Sequence, residues 1–346
     1  MQIEENTILA PYTTFGIGGR ARWFAQAHTE ADVWDASEWA QERGIPLFVL
    51  GGGSNVLIAD AGFHGLVLHV ALKGIEEQEA GQDGVLLNVA AGEDWDHCVG
   101  RSTDANCAGI ECLAGIPGTV GGTPVQNVGA YGQEVSSVIE RVRAFDLGER
   151  KFVEFDAAQC GFGYRKSRFN TTDKGRYVVT RVDYRLVRGG APTLKYPDVR
   201  KAFVDEDEPS LTEVAEAVRR VRQAKGMLLA DGDPDCRSAG SFFKNPIVQE
   251  DLADQIAFWA GHQPPRFPAG IDGRVKIPAA WLIEQAGFAR GFAMGGAGIS
   301  TKHTLALVNR GGATASEMVA LAAQIRSAVE KKFGVVLQTE PVLVGF

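Results

Sequence analysis

The chain lacks most of the marks by which common protein classes declare themselves. Nowhere do ~18 apolar residues run consecutively, so a membrane-spanning helix is not expected. No Gly-Lys dipeptide occurs, which removes the GxxxxGK[ST] phosphate loop. There is no HExxH, and the six histidines (His28, His64, His69, His97, His262, His303) are dispersed, so no metal site is expected. No GxSxG elbow points to a hydrolase. The five cysteines (Cys98, Cys107, Cys112, Cys160, Cys236) are odd in number, scattered and without a CxxC, which favours a reducing compartment over a disulfide framework. The N-terminus shows no basic segment followed by an apolar one, and a cytoplasmic protein is expected. A basic excess is also missing. The 35 Lys and Arg against 43 Asp and Glu give −8, which argues against a nucleic-acid binder. A few cations focused on one small anionic substrate remain compatible with that balance.

What is abundant is glycine, 42 of 346 residues, without a repeating period. The excess implies tight turns and close backbone approach to a ligand. At 45% hydrophobic and 23% charged, the composition is that of an ordinary globular protein, and the length suggests two or three domains.

Local patterns give an α+β reading. Thr29 with Asp32 caps a helix whose inward residues are Val33, Ala36 or Ser37, and Ala40, and Gly44 ends it. A buried strand over 45–50 then enters Gly51-Gly-Gly-Ser-Asn55 and leaves directly as a second apolar run, Val56-Leu-Ile58. β-branched runs at 65–70, 85–89 and 176–182 predict a mixed sheet, with the glycine-dense stretch 114–134 as a ligand-facing loop. The Gly, Pro and charge-rich stretch 187–209 predicts a boundary or a long functional loop. Ser210 with Glu213, and Thr314 with Glu317, form two more capping boxes. The second helix should end at Gly334, before a strand Val335-Val-Leu337.

Gly16-Ile-Gly-Gly-Arg20 and Gly51–Asn55 have the density of a dinucleotide fingerprint but not its setting. A Rossmann GxGxxG follows a strand and opens a helix. Gly51–Asn55 opens more strand. Its backbone amides can still make an anion-binding nest for a pyrophosphate, the alternative being a plain tight turn.

Six segments occur in a telling order: Thr14-FGIG-Gly19, Leu50-GGGSNVLI-Ala59, Ala114-GIPGTVGG-Thr123, Gln126-NVGAY-Gly132, Tyr164-RKSR-Phe169 and Gly240-SFFKN-Pro246. Together they closely resemble the UDP-N-acetylenolpyruvoylglucosamine reductase family, also called UDP-N-acetylmuramate dehydrogenases. The resemblance runs from residue ~10 to the C-terminus, and the last two segments are its most specific part. It implies an α+β architecture with an FAD-binding fold of the vanillyl-alcohol-oxidase (PCMH) type. Two FAD-binding subdomains would cover 1–62 and 63–209, the second including a tyrosine loop. A substrate domain would cover 210–334, and a C-terminal strand over 335–346 would carry an active-site Glu.

The implied activity is NADPH-dependent reduction of UDP-N-acetylglucosamine enolpyruvate to UDP-N-acetylmuramate through non-covalent FAD, in peptidoglycan precursor synthesis. By resemblance, Ser241 is the proton donor, Arg165 grips the substrate carboxylate, and Glu340 polarises the same centre. An arginine fork suits a carboxylate, and a carbanion basic enough can take a proton from serine when water is excluded. Tyr196, Lys225, Asn245, Lys276 and His303 fall at substrate-binding positions. Gly51, Gly52, Gly53, Ser54 and Asn55 would wrap the FAD pyrophosphate. Gly115, Ile116, Thr119, Gly121, Asn127 and Ala130 would line the rest of the cofactor. One departure is Phe267, where some members have a second substrate-covering Tyr. Small-molecule substrates, no nucleic acid, no membrane and a monomer complete the expectation. Two rival readings are an oxygen-reoxidised flavin oxidase of the same fold, which needs neither Ser241 nor Arg165, and a non-catalytic flavin or sugar-nucleotide binder, which needs no acid.

Overall fold

Capping chemistry decides where the longer helices begin. In the computed structural model, which describes residues 1–203, 208–230 and 232–346, Thr29 Oγ1 accepts the Asp32 N–H at 3.2 Å while Asp32 Oδ2 accepts the Thr29 N–H at 2.9 Å. The same reciprocal pair joins Ser210 to Glu213 and Thr314 to Glu317. These boxes open helices Glu30–Glu42, Leu211–Ala224 and Ala315–Phe333, as the sequence predicts. Gly334, at φ +63°, closes the last one in the left-handed conformation that glycine adopts without penalty.

The chain divides into two compact units. The first comprises Met1–Thr7, Ala21–Gly53 and Phe63–Gln223. It contains a four-stranded sheet in the order Ile3–Ile8, Arg20–Ala27, Phe63–Val70, Leu47–Leu50. The last three pair in parallel, which the crossover helix Glu30–Glu42 makes possible. A six-stranded sheet follows the order Lys151–Asp156, Ile139–Asp146, Tyr177–Arg188, Gly84–Ala90, Ile75–Glu79, with Cys107–Ala108 also paired to Tyr177–Arg188. Its pairings are all antiparallel. The mixed sheet expected over 65–190 is therefore two sheets, and Phe63–Val70 alone of those runs takes parallel partners. The core includes Leu66, Leu68, Trp95, Val142 and Tyr184.

The second unit comprises Ile8–Arg20, Ser54–Gly62 and Ala224–Phe346. Its main sheet is antiparallel, in the order Ser238–Ser241, Ala306–Asn309, Ala297–Ile299, Ala293–Met294. A three-stranded sheet joins Ile247–Gln249, Arg274–Lys276 and Phe267–Pro268. Val56–Ile58 pairs in parallel with Val342–Val344. Phe15, Leu57, Phe242, Phe243, Leu321 and Phe333 belong to the core under these elements.

One sequence expectation is corrected. Val335–Leu337 is not a strand: its buried-exposed-buried alternation imitates one, but the chain there makes only an isolated bridge, Phe243 with Thr339. The C-terminal strand is Val342–Val344, and Glu340 lies just ahead of it. The division of the chain falls at Gln223, later than the composition shift at 187–209, of which 204–207 lies outside the described residues. The reason is that helix Leu211–Ala224 buries Val214, Ala215, Ala217 and Val218 in the core of the first unit. Among the described residues no helix is long and apolar enough to cross a membrane.

Candidate active site

In the first unit, two glycine loops pass backbone against backbone. A Cβ on Gly52 would lie 2.6 Å from Gly118 Cα, and one on Gly51 would lie 2.8 Å from Thr119 Oγ1. The backbone contact leaves no place for a side chain at Gly52, so at that residue the polar groups on offer are main-chain ones. Gly52 N–H donates to Thr119 Oγ1 at 3.2 Å, and Gly53 takes φ +62°. Gly121 is pressed onto Ala91, where a Cβ would meet the Ala91 Cβ at 2.7 Å.

The second loop is fixed from behind. Trp95 N–H donates to Gly118 O, and Val120 N–H to Glu93 O, at the start of helix Trp95–Asp104. Gly115 N–H donates to Asp96 Oδ1 at 2.6 Å, and Gly115 O accepts from Arg222 Nε at 2.9 Å. Asp96 is itself paired with Arg219 at 2.8 Å. Burial presses the Arg222 guanidinium below its ordinary pKa, against the opposing pull of Tyr131 and Asp96. Ile116, on the next peptide, packs against the core. This is a cradle of the kind a flavin nucleotide needs: glycine-lined, main-chain in character and held rigid by a second layer of side chains.

Asn127 and Ala130 lie further along the same loop. Asn127 is buried at φ +46°, and its amide donates to Glu134 Oε2 at 2.9 Å and Gly163 O at 3.1 Å. Its side chain thus serves the protein, holding the loop to Glu134 and Gly163. Ala130 begins a tight hairpin, Gly129–Ala130 with Gln133–Glu134, whose turn residues Tyr131 and Gly132 both have positive φ. Tyr196 packs edge-on against Tyr131, ring centroids 5.1 Å apart.

Arg165 joins this group. Gly163 and Lys166 exchange both main-chain hydrogen bonds at 3.0 Å, so Tyr164 and Arg165 form the tip of a two-residue turn. Arg165 sits at φ +54°, a conformation costing a non-glycine residue ~1 kcal/mol. Its Nη2 donates to Gly129 O at 2.9 Å. Backbone strain at a half-buried arginine is the sort of feature that function retains. The first unit therefore brings Arg165, Ala130, Tyr131 and Tyr196 together.

In the second unit, Ser241 ends strand Ser238–Ser241 opposite Ala306, after a register shift at which Gly240 takes φ +67°. Such an irregularity re-aims the side chain that follows it. Phe242 and Phe243, both buried, anchor the chain immediately after. Glu340 N–H donates to Phe242 O at 2.9 Å, which brings the Glu340 backbone beside the residue following Ser241. Asn55 Nδ2 donates to Glu340 O at 3.3 Å, and Ser54 shares this unit.

His303 precedes the strand that pairs with Ser241. Its Nδ1 accepts the Leu305 N–H at 3.1 Å, so the neutral ring carries its proton on Nε2 and donates from there. Burial, then the charges of Lys225 and Arg290, push its pKa down to about 4. Lys225 precedes Gly226, whose φ of +64° favours glycine and where a Cβ would crowd the side chains of Ser300, Asp235 and Lys302 at 3.1–3.3 Å. Asn245 Oδ1 accepts the Ala279 N–H at 2.9 Å, at the head of helix Ala279–Gln285. Lys276 is in register with both Ile247 and the exposed Phe267. Among the described residues no group of three or more His, Cys, Asp or Glu could hold a metal ion.

Two family models match the chain. The FAD binding domain matches residues 21–153, and the C-terminal domain of UDP-N-acetylenolpyruvoylglucosamine reductase matches residues 233–344. The chain is 47% identical to the UDP-N-acetylenolpyruvoylglucosamine reductase of Streptomyces coelicolor, covering 97% of this chain and 89% of that protein. It belongs to the UDP-N-acetylenolpyruvoylglucosamine reductase family. The reductase of Thermobifida fusca is 44% identical, covering 98% of this chain and 97% of its own. The crystal structure of the Thermus caldophilus reductase is 26% identical with a TM-score of 0.67, covering 99% of both chains. As a member of the reductase family with a matched FAD binding domain, the protein is an FAD-dependent oxidoreductase.

Sequence reading missed the residues that hold this reductase's loops in place: Asp96, Arg219 and Arg222 behind Gly115, and Asp235 near Lys225. Asp235 is buried, and its Oδ2 accepts from Ser300 Oγ, Thr301 N and Thr301 Oγ1 at 3.1, 3.0 and 2.6 Å. None lies in a recognisable motif, and each acts on a partner far away in sequence. The one available signal was the basic character of helix Leu211–Ala224, which places Arg222 one turn beyond the buried Val218.

Proposed function

We propose that this protein reduces the enolpyruvyl double bond of UDP-N-acetylglucosamine enolpyruvate to give UDP-N-acetylmuramate, a step of peptidoglycan precursor synthesis. NADPH is the electron source and FAD is held without a covalent bond. The observation that carries the reading is 47% identity over 97% of the chain to an enzyme of that name, with Arg165 and Ser241 in the segments that resemble the family.

FAD, held by the Gly51–Asn55 and Gly115–Gly121 loops, would supply hydride chemistry with electrons drawn from NADPH. The hydride adds to the methylene carbon of the enol ether, the π bond opens, and negative charge develops on the carbon bearing the carboxylate. Arg165 grips that carboxylate with its planar fork and stabilises the enediolate form. The Ser241 hydroxyl gives its proton to the carbon, and Glu340 polarises the same centre. The sum is one hydride and one proton added across the double bond, NADPH becoming NADP⁺ and solvent returning the proton to Ser241.

Lys225, Asn245, Lys276 and the neutral, donating His303 hold the UDP portion, Lys225 as a point charge for the diphosphate. Tyr196 folds over the nucleotide, and Phe267 covers it by stacking without a hydroxyl. The enzyme acts as a cytoplasmic monomer.

An anaerobic absorbance trace tests the reading. NADPH should bleach the oxidised flavin band, and UDP-N-acetylglucosamine enolpyruvate should then restore it. Ser241→Ala should bleach normally and reoxidise at least 100-fold more slowly. A flavin that bleaches and stays reduced with substrate present refutes the substrate assignment. A protein that neither contains nor takes up flavin refutes the whole reading.

A further inference from the structure

Glu340 is followed by Pro341, so its own conformation is restricted, and the next residue offers no N–H for a ladder. The segment must be held by other handles, and the second unit supplies three. Glu340 N–H donates to Phe242 O at 2.9 Å, Glu340 O accepts from Asn55 Nδ2 at 3.3 Å, and Val342 N–H donates to Asn55 O at 2.9 Å. Asn55 therefore clamps both ends of the Glu340–Pro341–Val342 segment, with its side chain on one end and its main chain on the other. The parallel pairing of Val56 with Val342 and Leu57 with Leu343 then carries the register onward.

The peptide on the N-terminal side of Glu340 leads to Ser241. Phe242, whose carbonyl receives the Glu340 N–H, is fixed by its own N–H to Leu305 O at 2.8 Å and by burial of its ring. Ser241 precedes it, opposite Ala306. A chain of two contacts thus runs from the Asn55 amide through the Glu340 main chain to Phe242, the residue after Ser241. The last residue of a turn rich in glycine ends up setting the backbone of a residue 285 positions away.

We propose that the Asn55 side-chain amide sets the main-chain position of Glu340 relative to Ser241, and so acts as a positioning residue for the protonation step. The inference rests on the catalytic reading given under Proposed function. Chemical logic favours the amide: a serine is too short to span the gap, and an aspartate has no donor to offer the Glu340 carbonyl. Displacements of about 1 Å at a reacting group cost up to ~100-fold in rate, so a single fixing bond is worth retaining.

The test uses holoenzyme at saturating FAD, with the two half-reactions timed separately by anaerobic stopped flow. NADPH drives bleaching and UDP-N-acetylglucosamine enolpyruvate drives reoxidation. In Asn55→Ala the ratio of reoxidation to bleaching rates should fall about tenfold, and in Asn55→Asp further, because a carboxylate oxygen then faces the Glu340 carbonyl. Introducing Asn55→Ala into Glu340→Gln should lower the ratio by less than threefold, since the residue being positioned has lost its function. A merely structural role would lower both half-reactions together and would leave Asp, the isostere, less harmful than Ala. Either of those results overturns the proposal, as does an undiminished effect in the Glu340→Gln background. If Ser241→Ala and Glu340→Gln themselves reoxidise normally, the catalytic reading fails. If they are slow while both Asn55 variants keep the wild-type ratio, the positioning role alone fails.

Discussion

Glu111 offers the sharpest test of how the segment leading to Tyr196 is rooted. It is fully buried, at 0% exposure, and its carboxyl accepts three hydrogen bonds from three different stretches of chain. Oε2 takes the Gly109 N–H at 2.8 Å, and Oε1 takes Gln133 Nε2 at 2.7 Å and the Thr193 N–H at 2.8 Å. Gln133 also donates to Thr193 Oγ1 at 3.2 Å, and its own Oε1 accepts the Cys112 N–H at 2.8 Å. Thr193 lies three residues before Tyr196, so this one side chain ties that segment to the hairpin that carries Tyr131. Glu111→Ala removes all three bonds and leaves one buried donor, on Gln133, and two part-buried ones, on Gly109 and Thr193, each worth up to ~1–3 kcal/mol when unsatisfied. Water entering the vacated space recovers part of this, which sets the expected loss at ~3 kcal/mol. Urea unfolding should show that loss, and hydrogen exchange should show the Thr193 amide losing protection. Substrate KM should rise while the rate of flavin bleaching by NADPH holds. A loss below ~1 kcal/mol with Thr193 still protected would refute the anchor, and an unchanged KM would sever it from Tyr196.

The remaining expectations concern separate elements. Gly52→Ala should weaken FAD retention at least tenfold, because its Cβ meets backbone at 2.6 Å and cannot be accommodated by a side-chain shift; the flavin-to-protein absorbance ratio after purification measures this. His303, with its pKa lowered to about 4, stays neutral in the folded protein while the unfolded imidazole titrates near 6.5. Between those values the unfolded state binds more protons, so stability should fall as pH falls from ~6.5 towards 4, by on the order of 1–3 kcal/mol. His303→Gln should flatten that part of the stability profile, and an unchanged slope would show that other groups produce it. Asp60 accepts from Ala315 N, Ser316 N and Ser316 Oγ at 2.7, 2.9 and 2.6 Å. Asp60→Ala should therefore cost ~1–2 kcal/mol by denaturant titration, the usual worth of a helix N-terminal cap.

How far the molecule can be read from its sequence depends on the distance over which each interaction acts. The capping boxes at Thr29, Ser210 and Thr314 involve residues three apart, and all three form where the pattern places them. The strand–turn–strand setting of Gly51–Asn55 is equally local, and it correctly separates this turn from a Rossmann loop. Patterning fails where pairing must be supplied from elsewhere. Val335–Leu337 has the alternation of a strand but no ladder, while Val342–Val344, with only Val344 buried, finds Val56–Ile58 across the length of the chain. For the same reason the composition shift at 187–209 does not coincide with the division of the two units at Gln223. It marks a change in solvation, whereas membership of a unit is decided by where Val214 and Val218 bury their side chains.

The residues of the site divide in the same way. Arg165 and Ser241 are named in sequence because each sits in a short segment that resembles the family, and the glycines because they are dense; the structure gives these places unusual local geometry, a left-handed arginine, a shifted strand end and a Cβ-free crossing. The side chains that fix them are silent. Arg222 reaches Gly115 across 107 positions, and Glu111 reaches Thr193 across 82. Each such residue is a buried polar group that needs a partner, and nothing in its neighbourhood of sequence names that partner. This predicts where unexpected sensitivity to mutation will be found. Arg222→Met keeps bulk and helix propensity but removes the donor to Gly115 O, leaving the carbonyl unsatisfied beside the loop of the FAD cradle. The variant should unfold within ~2 kcal/mol of wild type, since burying the guanidinium is itself costly, yet should release FAD several-fold more readily. A variant that loses stability without losing flavin affinity would mean that Arg222 braces the core rather than the cofactor loop.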